Sequence, residues 1–139
     1  MLCTGRYVQN ELDFEFASNH WTPPPTQQYF ANVFVCSSGA GSGPEIMKTN
    51  DNLQNRHTFS LIYTPSQSVE WQIDGNSVRK ETQRVPDWKV SGGMSLYLNF
   101  WAPEPGWDWA YNSGLQPTDA SREQVWHYYV KSAAVYYGT

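Results

Sequence analysis

Acidic and apolar residues alternate strictly in the stretch ELDFEF, residues 11–16, and this pattern constrains the fold more than any other feature. Side chains two positions apart point to the same side of a β-strand, so Glu11, Asp13 and Glu15 share one face and apolar residues the other. Aspartate is disfavoured in strands, and like charges on one face repel each other. An ordinary solvated strand face gains nothing from three such acids, so the pattern favours a functional interpretation.

A period of two recurs along the chain, in segments rich in β-branched and aromatic residues. Turn signals separate these segments: Pro65 with Ser66, and Asp74 with Gly75, together predict a three-stranded meander. No segment has the pattern of a long helix, so we expect an all-β sandwich or barrel. The expected strands are Gly5–Ala17, Gln28–Cys36, His57–Thr64, Ser68–Asp74, Ser77–Lys80, Met94–Trp101 and Gln124–Tyr137.

Composition excludes two classes of partner. The 139 residues carry a formal net charge of -4, and the nine Lys and Arg are scattered, whereas nucleic-acid binding needs a clustered basic face. The longest apolar runs, such as MSLYLNFW at 94–101, are shorter than the ~20 residues of a membrane-spanning helix. A polar surface made mostly of uncharged side chains favours neutral, hydroxyl-rich partners.

Carboxyl groups grouped in this way suit the hydrolysis of glycosidic bonds. Retaining glycosidases place a nucleophilic carboxylate and an acid/base carboxyl group ~5–5.5 Å apart. The Cα atoms of Glu11 and Glu15 would lie about 13 Å apart on a straight strand, so we expect a strand that is concave on its acidic face. Asp13 would orient one glutamate and raise a neighbouring pKa, but chemistry alone does not assign the two glutamate roles.

ELDFE resembles the E-x-D-x-E signature of glycoside hydrolase family 16, the laminarinase, lichenase and xyloglucan transglycosylase group. QYFANVFV, RHTFSLIYTPSQSVEWQIDGNSVRK and MSLYLNFWAPEPGWDWA resemble the family's successive segments, and VWHYYVKSAAVYYG is similar to its final strand. The resemblance implies a jelly-roll β-sandwich of two antiparallel sheets, of the concanavalin A-like glucanase type. It also implies a retaining endo-glycosidase of the endo-β-1,3- or β-1,3-1,4-glucanase type, or a transglycosylase, acting on a polysaccharide.

By this resemblance, Glu11 is the nucleophile, Asp13 its assisting partner and Glu15 the general acid/base. The substrate-binding residues that we expect in the cleft are Asn32, Asn99, Trp101, Trp107 and Trp109, of which the last two lie in a Pro- and Gly-rich loop. Flat rings beside amide side chains suit a sugar, because rings stack on its CH face and amides bond its hydroxyl groups. Trp71, Trp88 and Trp126 are expected in the core.

No metal-ligand spacing occurs and no cofactor is expected, although a structural calcium ion, which some family members bind, is left open. A bridge between Cys3 and Cys36 is also left open, and His57 is expected to be a buried hydrogen-bonding residue. The resemblance implies a secreted or extracellular protein, while no signal peptide is visible in the sequence.

The sequence departs from the family pattern at its start, because only ten residues precede Glu11. Family members carry several strands there, so we expect residues 1–139 to be one domain that lacks the N-terminal strands, with weak activity at best. The alternative is a chain that closes its core by a shortened or oligomeric arrangement. Two further interpretations stay open: a non-catalytic glycan-binding sandwich, and an oligomerising structural β-domain whose acids are merely solvated.

Overall fold

The computed structural model describes residues 10–17, 27–35, 45–86, 95–99 and 129–136. These residues form two antiparallel three-stranded sheets. In spatial order, the first sheet contains β1 (Glu11–Glu15), β2 (Gln27–Phe34) and β3 (Glu45–Thr49). The second contains β4 (Phe59–Thr64), β5 (Ser68–Ile73) and β6 (Asn76–Glu81). The prediction of an all-β jelly-roll sandwich is therefore confirmed, and the described ranges contain no helix that could cross a membrane.

Five of the expected strands are present, and the predicted meander is the sheet β4-β5-β6. Four of them have slightly shifted ends; the first is Glu11–Glu15, and residues 5–9 of the expected Gly5–Ala17 lie outside the described residues. The prediction from the sequence missed β3, because its segment EIMKT has only two apolar residues and follows a Gly-rich segment. It was wrong at 95–99 and 129–136, which are exposed and form no strand in this structure. Apolar alternation there is not matched by a neighbouring strand within the described part of the chain.

The core lies between the two sheets. Alternation directs one face of β2 and one face of β5 inward, and the buried apolar cluster contains Tyr29, Ala31, Val33, Val35, Leu53, Val69, Trp71 and Ile73. Aromatic rings from both sheets meet beside it: the ring centroids of Phe59 lie 5.3 Å from Phe14 and 5.0 Å from Phe16. The apolar face of the acidic strand is thus packed against the second sheet.

A buried tryptophan on β5 joins the second sheet to the acidic strand. Trp71 is fully buried, and its indole Nε1–H donates a hydrogen bond of 2.8 Å to the backbone carbonyl of Asp13. A buried carbonyl needs a partner, because leaving one unsatisfied costs about 1–3 kcal/mol. The bond therefore fixes the middle of β1 against the opposite sheet.

The hairpin between β5 and β6 has a two-residue turn in which Asp74 (φ 51°) and Gly75 (φ 80°) both adopt positive φ, as a type I′ turn requires. The register then shifts by one residue: Gln72 pairs with Ser77, but Trp71 pairs with Arg79. A β-bulge of this kind reverses the faces of the residues that follow it. Arg79 and Glu81 consequently face the interior of the sandwich, where both are buried.

His57 connects this turn to the loop that precedes β4. Its Nδ1 lies 2.7 Å from Asp74 Oδ2 and its Nε2 lies 2.9 Å from the carbonyl oxygen of Asn52. Both partners are acceptors, so the doubly protonated imidazolium satisfies both contacts, whereas a neutral ring satisfies only one of them. The hydrogen bond to Asp74 is the main cause that raises the pKa of His57 above 6.5, and the Asn52 carbonyl adds to it. The prediction that His57 forms hydrogen bonds is confirmed, while the residue is partly rather than fully buried.

Replacing Asp74 by Asn should lower the pKa of His57, because Asn keeps the acceptor for the Thr58 N–H and tolerates positive φ but carries no charge. A raised histidine pKa contributes stability below 6.5 that is lost as the pH rises through the folded-state pKa. The stability difference between the two proteins should thus be larger at about pH 5.5 than at about pH 8.5. NMR titration of the ring measures the pKa of His57, and thermal unfolding at the two pH values measures the stability difference. An unchanged pKa of His57 would contradict the ion pair.

Replacing Trp71 by Phe should lower the free energy of unfolding by about 1–3 kcal/mol, since the partly buried Asp13 carbonyl loses its indole donor. Urea denaturation measures this loss. Tyr63→Phe is the matched control, because it deletes one O–H that donates to the Pro86 carbonyl from a less buried position. An equal or larger loss in the control would show that the indole contact does not carry this stability.

Candidate active site

The ladder between β1 and β2 defines the composition of the acidic face. Asp13 is directly opposite Asn32, while Glu11 pairs with Phe34 and Glu15 with Phe30. Directly opposite residues point to the same side of a sheet, so the three acids share their face with these β2 side chains and lie opposite the core. All three acids are half-buried, in contrast to a freely solvated strand face.

Asn32 lies at the centre of this face and is fully buried. Its Nδ2 donates a hydrogen bond of 3.2 Å to Glu15 Oε2 on the neighbouring strand. Glu15 is diagonal to Asn32 in the ladder, a separation that a long side chain can span. Asn32 also lies directly opposite Asp13 in the ladder, and its amide lowers the pKa of that acid. One amide group therefore acts on two of the three acids.

Asp13 has the most perturbed environment of the three acids. Burial, together with the smaller contributions of the negative charges of Glu11 and Glu15, raises its pKa from 3.8 to about 7. The hydrogen bond from Asn32 and the positive charge of Arg79 act in the opposite direction but do not outweigh burial. Asp13 therefore binds a proton near neutral pH, which lessens the repulsion along the strand.

Glu15 also holds its proton more strongly than an exposed glutamate. Burial raises its pKa, the hydrogen bond from Asn32 lowers it, and the charge of Glu11 adds a smaller upward contribution. A carboxyl group of raised pKa is suited to donate a proton, which is the requirement for a general acid.

Two residues of the second sheet support the acidic strand from behind. Trp71 bonds the Asp13 carbonyl, and the guanidinium of Arg79 lies 4.9 Å from the centroid of the Trp71 ring. Arg79 also donates to the Ala31 carbonyl of β2 and forms ion pairs with Glu45 at 2.9 Å and Glu81 at 3.5 Å. Sequence reasoning assigned Trp71 to the core but missed Arg79, because the bulge that turns Arg79 inward has no clear sequence signal.

The remaining predicted site residues are not brought to this face by the described part of the structure. Asn99 is exposed and lies outside any strand. Trp101, Trp107 and Trp109 lie outside the described residues, as do Cys3, Cys36, Trp88 and Trp126. Their assigned roles stay predictions. Across the described ranges, no group of three His, Cys, Asp or Glu side chains is arranged to hold a metal ion.

A β-sandwich in which one strand presents three half-buried carboxyl groups, two of them with raised pKa, is suited to the acid chemistry of glycosidic bonds. The sequence model described as glycosyl hydrolases family 16 matches residues 1–122. This match covers most of the chain, and the chain belongs to that family.

Curated relatives extend the comparison. The chain is 30% identical over 127 residues to xyloglucan endotransglucosylase/hydrolase protein 15 of Arabidopsis thaliana, a match that covers 88% of this chain and 41% of the relative. It is 30% identical over the same length to xyloglucan endotransglucosylase protein 1 of Diospyros kaki, again with 88% and 41% coverage. A shorter match, 28% identical over 72 residues, links 52% of the chain to 14% of the Crh-like protein UTR2 of Candida albicans.

The chain spans about two fifths of the length of the plant relatives that it matches. No solved structure gives a significant match.

Replacing Asp13 by Asn should stabilise the chain at alkaline pH. Because the pKa of Asp13 rises from 3.8 to about 7 on folding, its contribution to stability is full below 3.8 and is lost as the pH rises through 7. Asparagine stays neutral throughout, so its advantage over Asp13 should appear between these values. Urea denaturation at about pH 4 and about pH 8 measures the difference in the free energy of unfolding between the variant and the unmodified chain. The same difference at both pH values would show that folding does not raise the pKa of Asp13.

Proposed function

We propose that this chain carries the catalytic strand of a retaining endo-glycosidase or transglycosylase that acts on a β-glucan-type polysaccharide. Glu11 is the proposed nucleophile, Glu15 the general acid/base, and Asp13 the group that moderates the charge between them. The observation that carries the proposal is the environment of Glu15. Its side chain is half-buried and accepts a hydrogen bond from Asn32, and its pKa is raised.

In the first step, Glu15 donates its proton to the glycosidic oxygen while Glu11 attacks the anomeric carbon, and the C–O bond to the leaving sugar breaks. This gives a glycosyl-enzyme ester on Glu11. In the second step, the Glu15 carboxylate takes a proton from an incoming hydroxyl group, whose oxygen displaces Glu11 and restores its carboxylate. The incoming group is water in hydrolysis and a sugar hydroxyl in transfer.

The substrate part of the proposal is supported by the plant relatives, whose names specify xyloglucan. A xyloglucan oligosaccharide is therefore the first substrate to test, ahead of the β-1,3- and β-1,3-1,4-glucans that the sequence suggested. A polysaccharide substrate also fits the predicted extracellular location. The half-buried Asp13 and the buried Asn32 argue against the merely solvated strand, because a structural domain has no need of a partly buried acid with raised pKa.

Labelling with a 2-deoxy-2-fluoro xyloglucan oligosaccharyl fluoride tests the nucleophile directly. Such a compound traps the glycosyl-enzyme, and fluoride leaves without protonation, so the general acid is not required. Intact mass spectrometry of the whole chain, followed by peptide mapping, should find the sugar on Glu11. Glu15→Gln should still be labelled, whereas its matched partner Glu11→Gln should not.

Labelling on Glu15 in the unmodified chain would show that the two roles are reversed. A chain that resists labelling but gains thermal stability with the corresponding xyloglucan oligosaccharide would instead be a glycan-binding module. Neither labelling nor stabilisation would contradict both sugar-directed functions.

A further inference from the structure

The amide of Asn32 occupies a position that its predicted role as a substrate contact does not explain. Its side chain is fully buried, so it does not present a surface to a sugar in this structure. Instead it donates to Glu15 Oε2 at 3.2 Å and lies directly opposite Asp13 in the ladder, where its amide lowers the pKa of Asp13. An amide nitrogen carries two N–H donors, enough for one bond to each acid.

Two buried oxygen atoms beside this amide lack a hydrogen-bond partner within the described ranges: Asp13 Oδ1 and Asn32 Oδ1. Buried acceptors are almost always satisfied in folded proteins, so two in directly opposite residues require a reason. A proton carried by a carboxyl group turns an acceptor into a donor. The pair of acceptors is therefore consistent with a site that holds one proton more than three ionised acids would.

We propose that Asn32 is a positioning residue that fixes Glu15 on the acidic face and couples its protonation to that of Asp13, so that these two carboxyl groups share one proton. The amide stabilises negative charge on whichever acid is ionised. When Glu15 gives the shared proton away, both acids are ionised, and the bond from Asn32 Nδ2 supports the new Glu15 carboxylate.

The other charges around the pair do not replace this bond. Glu11 on the same strand raises the pKa of both acids, and Arg79 on β6 lowers that of Asp13 from the opposite side of the sheet. Lys48 on β3 pairs with Gln28 and so lies on the acidic face, but it is not a cause of either shift. Asn32 is the neighbour whose hydrogen bonds lower the pKa of both acids.

The catalytic meaning of this coupling rests on the proposed function, but its test does not. Carboxyl carbon NMR titration of the whole chain, labelled at Asp and Glu, reads protonation without substrate or turnover. In the unmodified chain, Asp13 and Glu15 should titrate as a coupled pair with two-step curves. In Asn32→Ala, both midpoints should rise by about half a pH unit or more, because both carboxylates lose a donor.

Val33→Ala is the matched control. Val33 is the next residue of β2, is equally buried and faces the core, so the same truncation loosens packing without touching the acids. It should leave both midpoints in place. Unchanged midpoints in Asn32→Ala, or equal shifts in Val33→Ala, would overturn the proposal.

The unmodified chain supplies a second measurement that does not depend on whether Asn32→Ala folds. The side-chain amide resonances of Asn32 should move with pH through the midpoints of both Asp13 and Glu15. Amide resonances that ignore the titration of Glu15 would also overturn the proposal. Failure of fluoride labelling together with the expected titrations would refute the proposed function and leave the role of Asn32 intact.

Discussion

The hydrogen bond from the Trp71 indole to the Asp13 carbonyl is the contact on which the acidic strand depends. Within the described residues, β1 pairs with β2 along one edge, and this bond ties its centre to the opposite sheet. Phe14 and Phe16 pack on Phe59 beside it, so the strand cannot shift along its length without losing both contacts. Arg79 lies over the Trp71 ring and bonds β2, which makes the support continuous from β6 to the acids.

This support allows three acids to lie on one strand at a cost in stability. Burial and mutual repulsion raise the pKa of Asp13 and Glu15, which means that folding disfavours their ionised forms. Asn32 and Arg79 offset part of that cost by hydrogen bonding and by charge. Sites of this kind are typical of chemistry, because a strand optimised for stability alone would avoid buried, repelling carboxyl groups.

Local sequence signals predicted much of the fold. The meander β4-β5-β6 was predictable because Pro65 and the Asp74-Gly75 pair determine turn geometry with few neighbours involved. The strand β3 was not, since EIMKT gains its strand conformation from pairing with β2 rather than from its own composition. The reverse holds at 95–99, where a strongly apolar pattern forms no strand in the structure. At β3, pairing, which is non-local, overrode the local preference.

By itself, the sequence determined that Glu11, Asp13 and Glu15 share a strand face, because alternation follows from backbone geometry alone. It also indicated Asn32 and Trp71, though with a substrate role for one and a packing role for the other. Only the tertiary structure decided what surrounds the acids. The register of β1 on β2 places Asn32 opposite Asp13, and the bulge at Trp71 turns Arg79 inward. A shift of one residue in either ladder would reverse these faces, so the pKa values of the acids depend on pairings that no short stretch of sequence specifies.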